Sequence, residues 1–268
     1  MRVMQRLWMK AAIVPAPRED CCMCLYRVVT TGDGEGMIEV VPEAETIAKI
    51  VEHAALGTGL KKSKGLRAKV RAAHQAIRGD KAVLKWLRHC CADGGRTLAD
   101  VTENFLVSCA AYCVATYVIG VGDRHPSNIM LTTSGKLFHI DFGHFLGNFK
   151  SKFGVKRERT PFVMTPAFAA VIKARGTGAW ERFIALACSL FIVLRREASL
   201  LCTLFRLMLS SGMPELSATR DIMYIQQTLM TGMSEAEAAV AFENLIYSAL
   251  NTKTTQWNDA MHLIKHVQ

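Results

Sequence analysis

The fold is decided by Gly122-Asp123-Arg124-His125-Pro126-Ser127-Asn128 and, a short way downstream, by Phe138-His139-Ile140-Asp141-Phe142-Gly143-His144. Between them, Asn128 to Leu131 reads as a strand, Thr133-Ser134-Gly135 as a turn and Lys136 to Ile140 as a second strand. An Asp at the end of a short strand, followed by Phe-Gly, suits a magnesium-binding carboxylate. Magnesium prefers one or two carboxylates and completes its shell with phosphate oxygens. A glycine at 143 lets the chain turn sharply away from such an ion. The bland alternatives are a buried turn aspartate for Asp141 and a structural Arg–Asp pair for the Asp-Arg-His run.

Outward from this centre, Leu98 to Ile119 predicts a central apolar helix. Phe105 to Gly122 holds 18 residues without a charge, the lower limit for a membrane span. Ser108, Tyr112, Thr116 and Tyr117, with a charged cluster beginning at Asp123, favour a buried core helix instead. Near the start, Val3, Met4, Leu7 and Trp8 have helical spacing, and Pro15 and Pro17 interrupt it. Cys24 to Thr30 and Met37 to Val41 read as strands around a Gly32-Asp33-Gly34 turn, a piece too small to bury a sheet face alone. Beyond Pro42 the pattern is mostly helical. Residues 53–79 carry seven basic side chains and no acidic one, which predicts a basic loop leading into a helix. Phe149 to Pro161 reads as a charged loop, and from Ala167 onward everything reads helical. Ser234 and Glu237 form a capping box ahead of Ala238 to Leu250, with Met233 placed as a staple.

The whole chain has 268 residues, with 33 Lys+Arg against 23 Asp+Glu and a formal net charge of +10. Half of it is apolar, enough for a large core, which excludes an intrinsically disordered tail. The basic balance points to an anionic partner: nucleic acid, phosphorylated small molecules or a membrane surface. No aromatic residue is interleaved with the basic run for base stacking, which argues against nucleic acid. Nine cysteines form no secreted framework. Cys109, Cys113, Cys188 and Cys202 sit among apolar residues, and the cluster Cys21, Cys22 and Cys24 lacks matching zinc ligands downstream. Reduced cytosolic thiols are the better reading. Met1 to Trp8 carries Arg2 and Arg6 with no apolar run behind them, so no secretory signal is expected.

Protein kinases place a catalytic Asp five residues before a metal-binding Asn, upstream of their Asp-Phe-Gly. Asp123 and Asn128 have that spacing, but here the His follows the Asp. Gly-Asp-Arg-His-x-x-Asn followed by His-Ile-Asp-Phe-Gly-His resembles the phosphoinositide 3-kinase and 4-kinase family, over nearly the whole chain. The resemblance implies an α+β, protein-kinase-like bilobal fold, here mainly its helical C-lobe. Residues 1–41 would be an N-lobe remnant and hinge. Residues 42–268 would be the C-lobe, with the catalytic loop at 122–130, the activation loop at 141–166 and C-terminal helices at 167–268. It implies ATP and Mg2+ as cofactors, with Asn128 and Asp141 on the metal. His125 is the expected base, with Asp123 orienting it or the hydroxyl; Arg124 either steadies phosphate charge or anchors the loop. His144 either approaches the transferred phosphate or stabilises its loop. Glu39 and Val41 of the hinge would read the adenine, with Met130 and Ile140 beneath it.

The loop after Asp-Phe-Gly carries five bases and one acid between Lys150 and Arg159, a local +4. Charge-assisted bonds from Lys and Arg are the expected readers of inositol phosphates. Lys150, Lys152, Lys156 and Arg157 are the expected substrate readers. This form resembles class I phosphoinositide 3-kinases, acting on the 3-hydroxyl of phosphatidylinositol 4,5-bisphosphate. The implied setting is cytoplasmic, with peripheral recruitment to membranes. A regulatory subunit would bind regions outside this chain.

No glycine-rich phosphate loop or strand Lys precedes Ile38, so the chain reads as beginning late in the small lobe. At the other end, Asp259 and Ala260 stand where class I enzymes carry an aromatic-apolar pair, which weakens membrane docking there. The alternative function is an inert short product that binds headgroups or a kinase partner.

Overall fold

The computed structural model describes residues 1–13, 22–57, 81–147, 151–152, 155–156, 160–213, 216 and 218–252. Its elements in chain order begin with α1 (Arg2–Lys10), the hairpin β1 (Val28–Gly32) and β2 (Glu35–Ile38), and β3 (Ala44–Thr46). Next come α2 (Ile47–Gly57), α3 (Ala82–Gly94), α4 (Leu98–Val118), and the hairpin β4 (Ile129–Thr132) and β5 (Leu137–His139). The two-residue strands β6 (Ser151–Lys152) and β7 (Val155–Lys156) lead to α5 (Pro166–Lys173) and α6 (Ala179–Arg196). The chain then forms α7 (Ala198–Leu207), α8 (Thr219–Thr228) and α9 (Glu235–Asn251). This is an α+β fold dominated by helices.

Helix α4 organises it. Thr97 caps its start by accepting a hydrogen bond from the Asp100 backbone at 3.1 Å. From Phe105 onward it carries no charge on any side, so neighbours must cover it on every side there. Fourteen of its 21 residues are buried. A helix long and apolar enough to cross a membrane is therefore the core of this fold. Phe105 meets Phe168 of α5 edge-on at 5.5 Å. Tyr117 meets Phe242 of α9 at 5.6 Å, and Phe242 stacks on Phe191 of α6 at 4.5 Å. Cys109, Cys113 and Cys202 are buried in this core, and Cys188 is half-buried beside the Ala239 carbonyl.

The β4–β5 hairpin is laid directly on α4. Ser108 accepts from the Leu137 backbone at 2.9 Å, and Asn104 donates to the Ser134 carbonyl at 2.8 Å. Gly135 turns the hairpin at φ 88°, where an added Cβ would stand 2.1 Å from the Val101 carbonyl oxygen. Only glycine permits that approach. β3 adds a third antiparallel strand, pairing Thr46 with Met130. The sequence reading passed over β3.

One buried core runs from Met4 to Ala249, and α1 belongs to it: Trp8 is fully buried and donates to the Leu190 carbonyl of α6 at 2.9 Å. The β1–β2 hairpin does not. Val28, Val29, Met37 and Ile38 are each half exposed or more. Its strands are shorter than predicted. Cys24, Leu25 and Tyr26 turn into the core, where the Cys24 carbonyl accepts from the Tyr112 hydroxyl at 2.8 Å. The predicted charged loop at 149–161 contains the β6–β7 pair, and most of the predicted basic loop lies outside the described residues. Ser234 and Glu237 form the expected capping box, but Met233 stays 47% exposed and gives no buried staple.

Candidate active site

The β4–β5 register opposes Ile129 to His139, which sets Asn128 beside Ile140. The Ile140 amide donates to the Asn128 carbonyl at 3.0 Å, one rung beyond the strands. Pro126 opens a short 3-10 turn, closed by the Asn128 amide on the His125 carbonyl at 2.8 Å. The buried Asn128 side chain then donates through Nδ2 to the Asp123 carbonyl at 3.0 Å. A carbonyl accepts only from the NH2 end, so the carboxamide oxygen is the end that remains for a cation.

Arg124 ties this loop to the Asp-Phe-Gly segment. Its guanidinium donates to the carbonyls of Gly122 at 2.8 Å, Ile140 at 2.7 Å and Asp141. It also lies over the Phe142 ring, 5.6 Å from the centroid. Of the two roles expected for Arg124, the geometry supports the anchor. Two backbone bonds complete the stitching: Gly122 to the His144 carbonyl and Leu146 to the Ile119 carbonyl, both 2.8 Å.

Both carboxylates sit on strained backbone. Asp123 has φ 55° and Asp141 has φ 58°, the left-handed region that costs an L-residue about 1–2 kcal/mol. Such a conformation persists where the surroundings over-determine it. Here the Asn128 and Arg124 side chains fix the carbonyls of the two strained residues, one each.

Beneath the loops lies an aromatic floor that the sequence reading did not assign. Tyr26 donates to the His139 carbonyl at 3.2 Å and meets Phe138 edge-on at 6.2 Å. His139 stacks on Tyr112, with ring centroids 5.0 Å apart and planes 6° from parallel. Burial first, and then the positive Arg124, push the His139 pKa down to about 3, so its imidazole is neutral in the fold. Burial raises the Tyr112 phenol well above its ordinary range. Tyr26 lies 113 residues from the backbone it supports, and no local pattern announces that contact.

The structure thus brings Asp123, Arg124, His125, Asn128, Ile140, Asp141 and His144 into two stitched segments. His144 enters through its carbonyl and keeps a half-buried side chain. Met130 and Ile140 are half-buried against the core. Glu39 is exposed at the end of β2, where its carboxylate accepts from the Arg27 amide at 2.8 Å, and Val41 is half-buried. Lys152 and Lys156 lie on β6 and β7, and Lys150 and Arg157 lie outside the described residues. Asn128 and the exposed carboxylate of Asp141 fit the donor set of magnesium, which takes few protein ligands and prefers oxygen.

An Asp–Asn loop tied to a hairpin-borne Asp-Phe-Gly, on a helical α+β body, defines the catalytic part of a protein-kinase-like fold. A family profile described as phosphatidylinositol 3- and 4-kinase matches residues 1–218. Phosphatidylinositol 3-kinase 2 of Dictyostelium discoideum is 42% identical over 98% of this chain and 13% of its own length. Phosphatidylinositol 3-kinase 1 of the same organism is 40% identical over 99% of the chain and 16% of its own length. The human phosphatidylinositol 4-phosphate 3-kinase C2 domain-containing subunit beta is 36% identical over 98% of the chain and 15% of its own length. The chain belongs to the phosphatidylinositol 3- and 4-kinase family. It spans about a sixth or less of the length of these relatives.

Proposed function

We propose that this chain forms the catalytic lobe of a lipid kinase that transfers the γ-phosphoryl group of ATP to the inositol 3-hydroxyl of phosphatidylinositol 4,5-bisphosphate. The observation that carries the reading is the double stitching of Asp123 and Asp141, each on left-handed backbone and each fixed through its carbonyl. Phosphoryl transfer depends mostly on positioning and charge stabilisation, and this frame supplies positioning. Asn128 and Asp141 hold magnesium, which when bound neutralises charge on the ATP phosphates. His125 accepts the proton of the attacking hydroxyl, because an ordinary imidazole titrates near neutrality whereas a carboxylate is a weak base. Asp123 orients the hydroxyl or the imidazole. Glu39, Val41, Met130 and Ile140 would hold the adenine, and His144 would approach the transferred group or stabilise its loop. Lys150, Lys152, Lys156 and Arg157 read the headgroup phosphates at the cytoplasmic face of a membrane.

A second acceptor has its own support. The human relative is named as a phosphatidylinositol 4-phosphate 3-kinase subunit. The test is phosphate incorporation by the full-length protein into vesicles carrying phosphatidylinositol, its 4-phosphate or its 4,5-bisphosphate. The proposal expects the bisphosphate to be used best. It also expects joint Lys156→Glu and Arg157→Glu to cut bisphosphate turnover roughly tenfold or more, the weight of a lost charge-assisted bond. Preference for the 4-phosphate would reassign the loop. No incorporation into any lipid would leave headgroup or partner binding as the function.

A further inference from the structure

The loop ahead of Asp123 and the loop behind Asp141 share a neighbour from a distant part of the chain. Gly120 and Gly147 both have left-handed backbone, at φ 57° and 76°. A Cβ added at Gly120 would stand 2.4 Å from Cε1 of Tyr224 and 2.6 Å from its Cζ and Oη. A Cβ added at Gly147 would stand 2.8 Å from Cδ2 and Cε2 of the same ring. Carbon atoms do not approach so closely, so each glycine makes room for one edge of the Tyr224 ring. Next to these glycines in the chain run the two backbone bonds that stitch the segments, Gly122 to His144 and Leu146 to Ile119. One turn further along α8, Thr228 donates to the Val118 carbonyl at 3.0 Å, just before Gly120. Ile222 and Ile225 are buried and seat the helix.

We infer that Tyr224 is a positioning residue of the reaction: its ring is a wedge that sets how the Asp123 loop and the Asp141 loop meet. The side chain acts through Gly120 and Gly147 and touches no reacting atom in this account. Both glycines lack side chains because the ring occupies that space. The consequence is mechanical. Any shift of α8 moves both catalytic segments at their common base, so the C-terminal helices and the phosphoryl-transfer geometry are coupled. This inference rests on the reading of Asp123 and Asp141 as the groups that hold the reaction.

The experiment compares Tyr224→Ala and Tyr224→Phe with the wild type in the full-length protein. Amide hydrogen exchange is followed in peptides covering residues 119–123 and 144–147, alongside kcat and the KM for ATP per folded molecule. The alanine variant is expected to speed exchange in those two peptides. It should also lower kcat roughly tenfold, with KM changed by less than about twofold, the signature of misplaced reacting groups. The phenylalanine variant keeps the ring and should stay within about twofold of wild type in every readout. Unchanged exchange in the two peptides, or a rise spread evenly over the chain, overturns the wedge. So does an unchanged kcat in the alanine variant. A wild type that phosphorylates no lipid overturns the functional reading, and exchange still decides the wedge.

Discussion

Two short antiparallel β-hairpins have opposite fates here. In the β4–β5 hairpin, Ile129, Leu131, Leu137 and Phe138 are almost wholly buried. In the β1–β2 hairpin, Val28, Val29, Met37 and Ile38 remain half exposed or more. Strand propensity does not separate them. The difference is what lies underneath: β4–β5 rests on α4 through Ser108 and Asn104, whereas both strands of β1–β2 are exposed along their whole length. A two-stranded ribbon has little independent stability, so the contact with α4 is what fixes the β4–β5 hairpin and the loops at its ends. Asp123 and Asp141 flank the supported one.

The largest effect that would sharpen this contrast is chemical. His125→Asn in the supported region should reduce kcat roughly a hundredfold or more while leaving the melting temperature near wild type, the loss expected of a general base. An active variant would remove His125 from that role. Next comes the stitching itself. Arg124→Leu strips a donor from three carbonyls, and urea unfolding should show a loss of about 2 kcal/mol or more, together with lost activity. Arg124→Lys should not restore either property, because one ammonium cannot span a set that the planar fork reaches. Full rescue by lysine would show that charge alone matters there.

The floor beneath the hairpin predicts a pH dependence. His139 stays neutral in the fold down to about pH 3, whereas in the unfolded chain it takes a proton near 6.5. Below 6.5 the unfolded state therefore binds the extra proton, and stability falls as pH drops toward the folded value. Between about pH 7.5 and about pH 5 the expected loss is about 2 kcal/mol. His139→Phe should flatten that limb in equilibrium unfolding. An equally steep limb in the variant would assign the acid sensitivity elsewhere. The smallest effect belongs to the unsupported hairpin: Val29→Thr and Met37→Thr should each change stability by less than about 0.5 kcal/mol. A loss several times larger would mean that this hairpin is packed after all.

The parts legible in the sequence were those written in local patterns. The central helix, the Thr133-Ser134-Gly135 turn, the Ser234–Glu237 capping box and the spacing of Asp123, Asn128 and Asp141 all depend on neighbours in the chain. The resemblance carried by that spacing agreed with the family match. Contacts between remote segments were not legible. Nothing local to Arg124 pointed to the carbonyls of Ile140 and Asp141 that it reaches. Tyr26 and Tyr224 lie far along the chain from the loops they support, and nothing in their flanking residues marks them. The short strand β3 was missed because three residues carry too little periodicity to register. Cys24 read as strand because its apolar surroundings fit one, yet Tyr112 holds its carbonyl in the core.

The central claim is that the stitched frame positions Asp141 to hold the metal for phosphoryl transfer to a phosphoinositide. The most direct test is transfer of labelled γ-phosphate from ATP to phosphoinositide vesicles, by the full-length protein and its Asp141→Asn variant side by side. The account predicts clear incorporation by the wild type and a loss of roughly a hundredfold or more in the variant, with its fold intact. Equal incorporation by the two proteins would contradict it.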